Sequence, residues 1–147
     1  MDRREALKKV AFLMGGAISA TTIGVLFQSF TLPESERKFI PFSVSDEAIL
    51  AEFADIILPT TKSSPGAKAA GLGTFIPMMV NDCYPESMQQ IFATGLKAMN
   101  AKCINDFNKD FLSLTIEERQ KIMGDLRDEA IATEKAPSFF LIARDLT

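Results

Sequence analysis

The chain has 147 residues, 16 basic and 19 acidic, for a net charge of −3, and it contains neither histidine nor tryptophan. The missing histidine removes the commonest general acid–base, the commonest metal ligand and the usual axial ligand of haem, and two cysteines, Cys83 and Cys103, are too few for a structural zinc or an iron–sulfur cluster. Residues 1–30 hold four of the basic and two of the acidic residues, so the remainder carries 12 basic against 17 acidic, a balance that argues against nucleic acid and against an anionic membrane surface as partners.

Asp2-Arg3-Arg4-Glu5-Ala6-Leu7-Lys8-Lys9 opens the chain, and an apolar run follows from Val10 to Phe30. Arg3, Arg4, Leu7 and Lys8 form the head of a twin-arginine export signal. The run behind them is only moderately apolar, interrupted by Gly15, Gly16, Ser19, Thr21, Thr22 and Gly24. Such a signal is an address read by a receptor, here the twin-arginine translocase, and not an anchor; it is set aside in reasoning about the fold. Because that route carries folded proteins, it predicts a periplasmic destination and a companion that folds before export. The same residues also read as a signal anchor, with Arg3, Arg4, Lys8 and Lys9 flanking an uncharged run of about 20 residues, long enough to span a bilayer. No A-x-A box follows, which leaves cleavage open.

Thr31 to Ser45 reads as an extended linker with Pro33, Pro41 and an apolar patch at Phe39-Ile40-Pro41-Phe42. A helix is then predicted with Ser45 as its N-cap and Asp46-Glu47 in its first turn, where negative charge suits the helix dipole; Pro59 closes it. Pro59 to Gly73 is a loop punctuated by Pro65, Gly66, Gly71 and Gly73, with room for one turn at Ala67–Ala70. A further element runs from about Thr74 to Cys83. Pro85 starts a long helix whose Met88, Ile91, Phe92, Leu96, Met99, Cys103 and Phe107 share one face, with Gly95 in that stripe to permit a close contact. Thr115 and Glu118 form a capping box for a helix reaching about Thr133, and Ala136-Pro137-Ser138 starts a last helix through Phe139, Phe140 and Leu146. Nothing alternates at period two for long enough to make a strand. The chain therefore reads as all-α, with about five helices in one domain over residues 46–147, after a signal at 1–30 and a linker at 31–45.

Gly66, Gly71 and Gly73 superficially resemble a phosphate-binding loop, but that site needs a strand before the glycine turn, and here a helix precedes it. Glu117/Glu118 and Asp125/Asp128/Glu129 are accounted for by capping and solvent exposure, given the neighbouring Arg119, Lys121 and Arg127. Some 18 helical steps, about 27 Å at ~1.5 Å each, separate Cys83 from Cys103 along the long helix, whereas a disulfide needs Cα atoms within about 7 Å. Two buried or unpaired thiols are expected; the alternatives are a bond between the two, which requires the long helix to break at a point such as Gly95, and a bond to a partner subunit. The 12 phenylalanines and seven methionines are many for this length; the usual reading is core. A small helical domain with more apolar side chains than it can bury would show the surplus to another protein, which favours a subunit over a free-standing enzyme. No residue of the chain is expected to be catalytic or to bind a cofactor or metal.

Asp55-Ile56-Ile57-Leu58-Pro59-Thr60-Thr61, then Ser64-Pro65-Gly66-Ala67-Lys68-Ala69-Ala70-Gly71, then Phe75 and Met79-Val80-Asn81-Asp82, resemble the gluconate 2-dehydrogenase subunit 3 family. The resemblance runs over essentially the whole chain, including the twin-arginine head and the Phe139-Phe140…Leu146-Thr147 ending, and Pro65-Gly66-Ala67-x-x-Ala70-Gly71 is its most specific part. It implies the small, cofactor-free subunit of a membrane-associated dehydrogenase for sugars or sugar acids. In such an enzyme a large GMC-type subunit binds FAD and oxidises the substrate, and a multihaem cytochrome c takes the electrons. The small subunit supplies the export signal and supports maturation of the large one. Members of the family usually continue beyond the equivalent of Thr147 into a Gly/Tyr/Phe-rich tail, and here the sequence departs from them. The rival expectations are a membrane-anchored helical adaptor and a free periplasmic enzyme. A docking surface for the flavoprotein is expected at the loop, through Lys62, Pro65, Gly66 and Lys68, together with exposed Phe139 and Phe140; the alternative is a plain connector and two core phenylalanines.

Overall fold

Side-chain caps, a glycine turn and a proline set where the helices start. In the computed structural model, which describes residues 39–133 and 136–147, five α-helices follow one another: α1 (Val44–Ile57), α2 (Leu72–Cys83), α3 (Glu86–Phe107), α4 (Ile116–Ala132) and α5 (Phe139–Leu146), with a 3-10 turn at Phe111–Ser113. No strand occurs among the described residues, so the all-α expectation holds. All the described residues fall in one unit, Phe39–Thr147. The twin-arginine head, the apolar run and the linker up to residue 38 lie outside them. No helix among the described residues is long and apolar enough to cross a membrane.

Ser43, not Ser45, caps α1. Its hydroxyl accepts from the Asp46 amide at 3.2 Å while the Asp46 carboxylate accepts from the Ser43 amide at 2.8 Å. The reciprocal box needs an acid three residues after the cap, which Ser43 has and Ser45, followed by Ala48, lacks. Helix α2 begins at Leu72, two residues ahead of the expected Thr74, because Gly71 turns the chain at φ +81°, a left-handed conformation that glycine adopts without penalty. Pro85 stands just before α3 as its N-cap rather than inside it, and α3 ends at Asn108 with φ +54°, where asparagine is one of the few other residues tolerated. Thr115 and Glu118 make the expected capping box on α4, and Ser138 caps α5 by accepting from the Leu141 amide at 3.3 Å.

The core gathers Leu50 and Phe53 of α1, Ile76 and Val80 of α2, Phe92, Met99 and Cys103 of α3, Phe111 of the turn and Ile122 of α4, all fully buried. Phe139 and Phe140 belong to this core, 4% and 8% exposed, which corrects the expectation that they stand exposed for a partner. Phe139 lies between Phe53 and Phe92, with ring centroids at 5.4 and 5.0 Å, and Phe140 meets Phe53 at 6.0 Å. Room for Phe139 comes from Gly95, as the sequence anticipated for a close contact: a Cβ there would sit 2.3 Å from that of Phe139.

Gly95→Ala is therefore expected to destabilise the fold by about 1–3 kcal/mol through overpacking. Gly124→Ala, on α4 where a Cβ meets nothing within 4 Å, is expected to stabilise it by about 0.4–1 kcal/mol. Urea unfolding of the two variants beside the parent chain checks both signs.

Candidate docking surface

The loop after α1 is rigidly tied. The Leu58 amide closes α1 on Ala54, and the Ala67 amide returns to the Leu58 carbonyl at 2.9 Å. Between them the Thr61 amide reaches the Ser64 carbonyl at 2.9 Å, the Gly66 amide donates to Thr60 Oγ1 at 3.0 Å, and the Lys68 amide donates to Asp55 Oδ1 at 3.4 Å. Gly66 is buried, and a Cβ there would lie 2.4 Å from Asp55 Oδ1 and 2.5 Å from the Thr60 nitrogen. The backbone that approaches this glycine is the chain's own, so Gly66 is not open to a partner. At Gly73 the close neighbours are likewise internal, the Glu47 carbonyl and Ala51 of α1.

Lys68 is engaged as well. Its ammonium pairs with Glu52, and Glu52 also receives Arg119 Nη1 at 2.6 Å. Arg119 further donates to the carbonyls of Phe111 at 3.0 Å and Leu112 at 2.7 Å, and its guanidinium carbon lies 5.5 Å from the centre of the Phe111 ring. Its side chain is only 14% exposed. The hydrogen bond from Lys68 outweighs the opposing effect of burial and, with the charge of Arg119, holds the Glu52 carboxyl below the ordinary value of 4.5. Arg119 was the residue that sequence reading passed over as a solvated neighbour. Its spacing carried the signal, three and four residues before Ile122 and Met123 on the inward face of α4.

What faces outward is the tip from Thr60 to Pro65, with Lys62 exposed and without an ion pair among the described residues. At the loop base, Leu58 is 52% exposed, and Ile116 in the first turn of α4 is 64% exposed. A shallow cavity of about 190 Å³ lies here, with Pro59, Ile116 and the Glu52–Arg119 pair in its walls. Of the expected docking residues, then, Lys62 and Pro65 are presented, Lys68 holds the loop, Gly66 packs beneath it, and Phe139 and Phe140 lie in the core.

Two further sets of charged groups tie the helices. Glu118 accepts from the Thr115 amide at 2.8 Å and from Lys109 at 3.3 Å, and Lys102 on α3 reaches Asp125 and Glu129 of α4 at 3.8 and 3.6 Å. No group of three or more cysteines or carboxylates among the described residues could hold a metal ion. Both thiols are free, Cys83 exposed and Cys103 buried, and burial raises the pKa of Cys103.

A small all-α domain with one fixed, outward-facing loop is the class these features define. The family described as gluconate 2-dehydrogenase subunit 3 matches residues 45–147, from the second residue of α1 through α5, and the chain belongs to that family. The family takes its name from a subunit of a multi-subunit gluconate dehydrogenase. No curated relative and no solved structure matches the chain.

Arg119→Ala is expected to cost about 2–4 kcal/mol, since it leaves two carbonyls and a carboxylate short of a partner, whereas Lys68→Ala, at an exposed ammonium, costs less than about 1 kcal/mol. The lowered Glu52 pKa also gives a pH signature. Its contribution to stability is complete above the ordinary value of 4.5 and is lost as pH falls through the folded-state value below it. Glu52→Gln removes that contribution, so the gap in stability between parent and variant is widest at neutral pH and closes on acidification, as chemical denaturation across that range reads directly.

Proposed function

We propose that this chain is the non-catalytic small subunit of a periplasmic, membrane-associated, FAD-dependent dehydrogenase for gluconate or a related sugar. In this reading it binds no cofactor. It carries the twin-arginine address for a GMC-type flavoprotein that folds in the cytoplasm, and it supports maturation of that subunit, with a multihaem cytochrome c as electron acceptor. Membership of the subunit 3 family across all five helices is the observation that carries the reading, and the Arg3-Arg4-x-x-Leu7-Lys8 head supports its export half. Docking is assigned to the loop tip. Lys62 and Pro65 stand outward on a backbone already fixed by Thr60, Asp55 and Glu52, and loops on rigid scaffolds commonly carry binding.

Replacing Arg3 and Arg4 together by lysine tests the export half. Co-expressed with its flavoprotein, the doubly substituted chain is expected to leave dye-linked dehydrogenase activity in the cytoplasm and to empty the periplasm of it, because the twin-arginine receptor reads arginine itself. A plain anchor keeps its positive flank and exports as before, and that result would sink the address. Lys62→Glu tests docking. It is expected to reduce co-purification of the flavoprotein several-fold while leaving the thermal unfolding of the small subunit unchanged, and unchanged co-purification would move the interface elsewhere.

A further inference from the structure

Residues 39–42 have no helix or strand of their own and no backbone–backbone hydrogen bond among the described residues, yet they are tied down at two points. The Ile40 amide donates to Asn81 Oδ1 at 3.0 Å, and Asn81 Nδ2 donates to the Ile40 carbonyl at 3.1 Å, so a single side chain imitates the paired bonds of a neighbouring strand. Two residues on, Phe42 meets the Phe92 ring edge-on at 5.8 Å. Ile40, Pro41 and Phe42 roof a narrow cavity of about 30 Å³ against Ala93, Leu96 and Lys97 of α3. Phe39, Pro41 and Ser43 are exposed.

The receptor, by contrast, is firmly built. Asn81 lies in the last turn of α2, and its carbonyl accepts from Gln89 Nε2 at 3.1 Å; the same nitrogen donates to the Tyr84 carbonyl at 2.8 Å, from a side chain buried at the start of α3. Phe92 is fully buried in the core. Asn81 and Phe92 belong to different helices, so the two halves of the receptor exist together only after α2 and α3 have packed.

We propose that residues 39–42 are a releasable strap. Closed, it is held across α2 and α3 by Asn81 and Phe92 and seals the Ala93–Leu96 floor. Open, it uncovers that floor while the helices stay folded. Every tie of the strap is a side-chain contact, so opening disrupts no helical ladder, and its dependence on two packed helices makes closure a report that the domain has folded.

Native-state hydrogen exchange on the full chain tests the strap. In the parent chain the Ile40 amide is expected to exchange through a local opening that is insensitive to low denaturant, while Leu96 exchanges only through global unfolding. Asn81→Ala is expected to speed exchange at Ile40 by about tenfold, as the loss of two partly buried hydrogen bonds implies, and to leave Leu96 unchanged relative to the variant's own global stability. Asn81→Asp keeps the acceptor for the Ile40 amide and falls between the two. The proposal is overturned if Ile40 and Leu96 exchange together with the same denaturant dependence in the parent chain, or if Asn81→Ala leaves Ile40 as it was. The parent chain decides the first point even where a variant does not fold.

Discussion

Three stretches of the chain meet at Arg119. Its guanidinium bonds Glu52 of α1 and the carbonyls of Phe111 and Leu112 in the turn before α4, and it lies over the Phe111 ring. A guanidinium is always charged and its donors form a rigid fork, so a side chain this far from solvent holds all its acceptors in one geometry or gives up several charge-assisted hydrogen bonds at once. The partners are 67, 8 and 7 residues away in sequence, and the fork therefore registers α4 against α1 as well as against its own preceding turn. Glu52 extends the constraint, because the carboxylate that receives Arg119 also receives Lys68. The position of the loop after α1 thus follows from the position of α4.

A second constraint is steric. Three glycines serve as gaps for the chain's own atoms: Gly66 under Thr60 and Asp55, Gly73 under Glu47 and Ala51, and Gly95 under Phe139. The last matters most for cohesion. Helix α5 has eight residues, too few to persist alone in water, and it is held because Phe139 enters the gap and meets rings from α1 and α3 at steep, edge-on to tilted angles. The gap at Gly66 instead tightens the loop, bringing its backbone onto the side chains of Asp55 and Thr60 that bond it.

The helices were legible because their signals are local. Thr115-x-x-Glu118, the three-and-four spacing from Met88 to Phe107 and the proline and glycine punctuation each act within a few residues. The misread cap belongs to the same class, since Ser43-x-x-Asp46 satisfies the box rule better than Ser45 does. What local pattern could not give was which element covers which. Phe139 and Phe140 read equally well as surplus or as core, and the decision lay in a gap at Gly95, more than forty residues earlier in the chain. Lys68 read as a docking cation because its partner, Glu52, lies 16 residues earlier, in α1. The apolar patch at 39–42 read as linker because its ties, to Asn81 and Phe92, are more remote still.

These constraints bear on the reading of the chain as a subunit. Immobilising a flexible loop is one of the costs of forming a complex, and in this chain the Thr60–Pro65 tip is already held from below by bonds to its own helix and, through Glu52, to α4. The groups that hold it point inward and leave Lys62 and Pro65 outward, and at the loop base Pro59 and Ile116 wall a cavity. A partner meeting this surface would find a basic side chain and an apolar edge in a fixed relation, with no ordering cost at the loop backbone. Preorganisation of this kind suits a subunit whose contacts must form with a protein that is already folded, which is the circumstance that the twin-arginine address proposed above would impose on both.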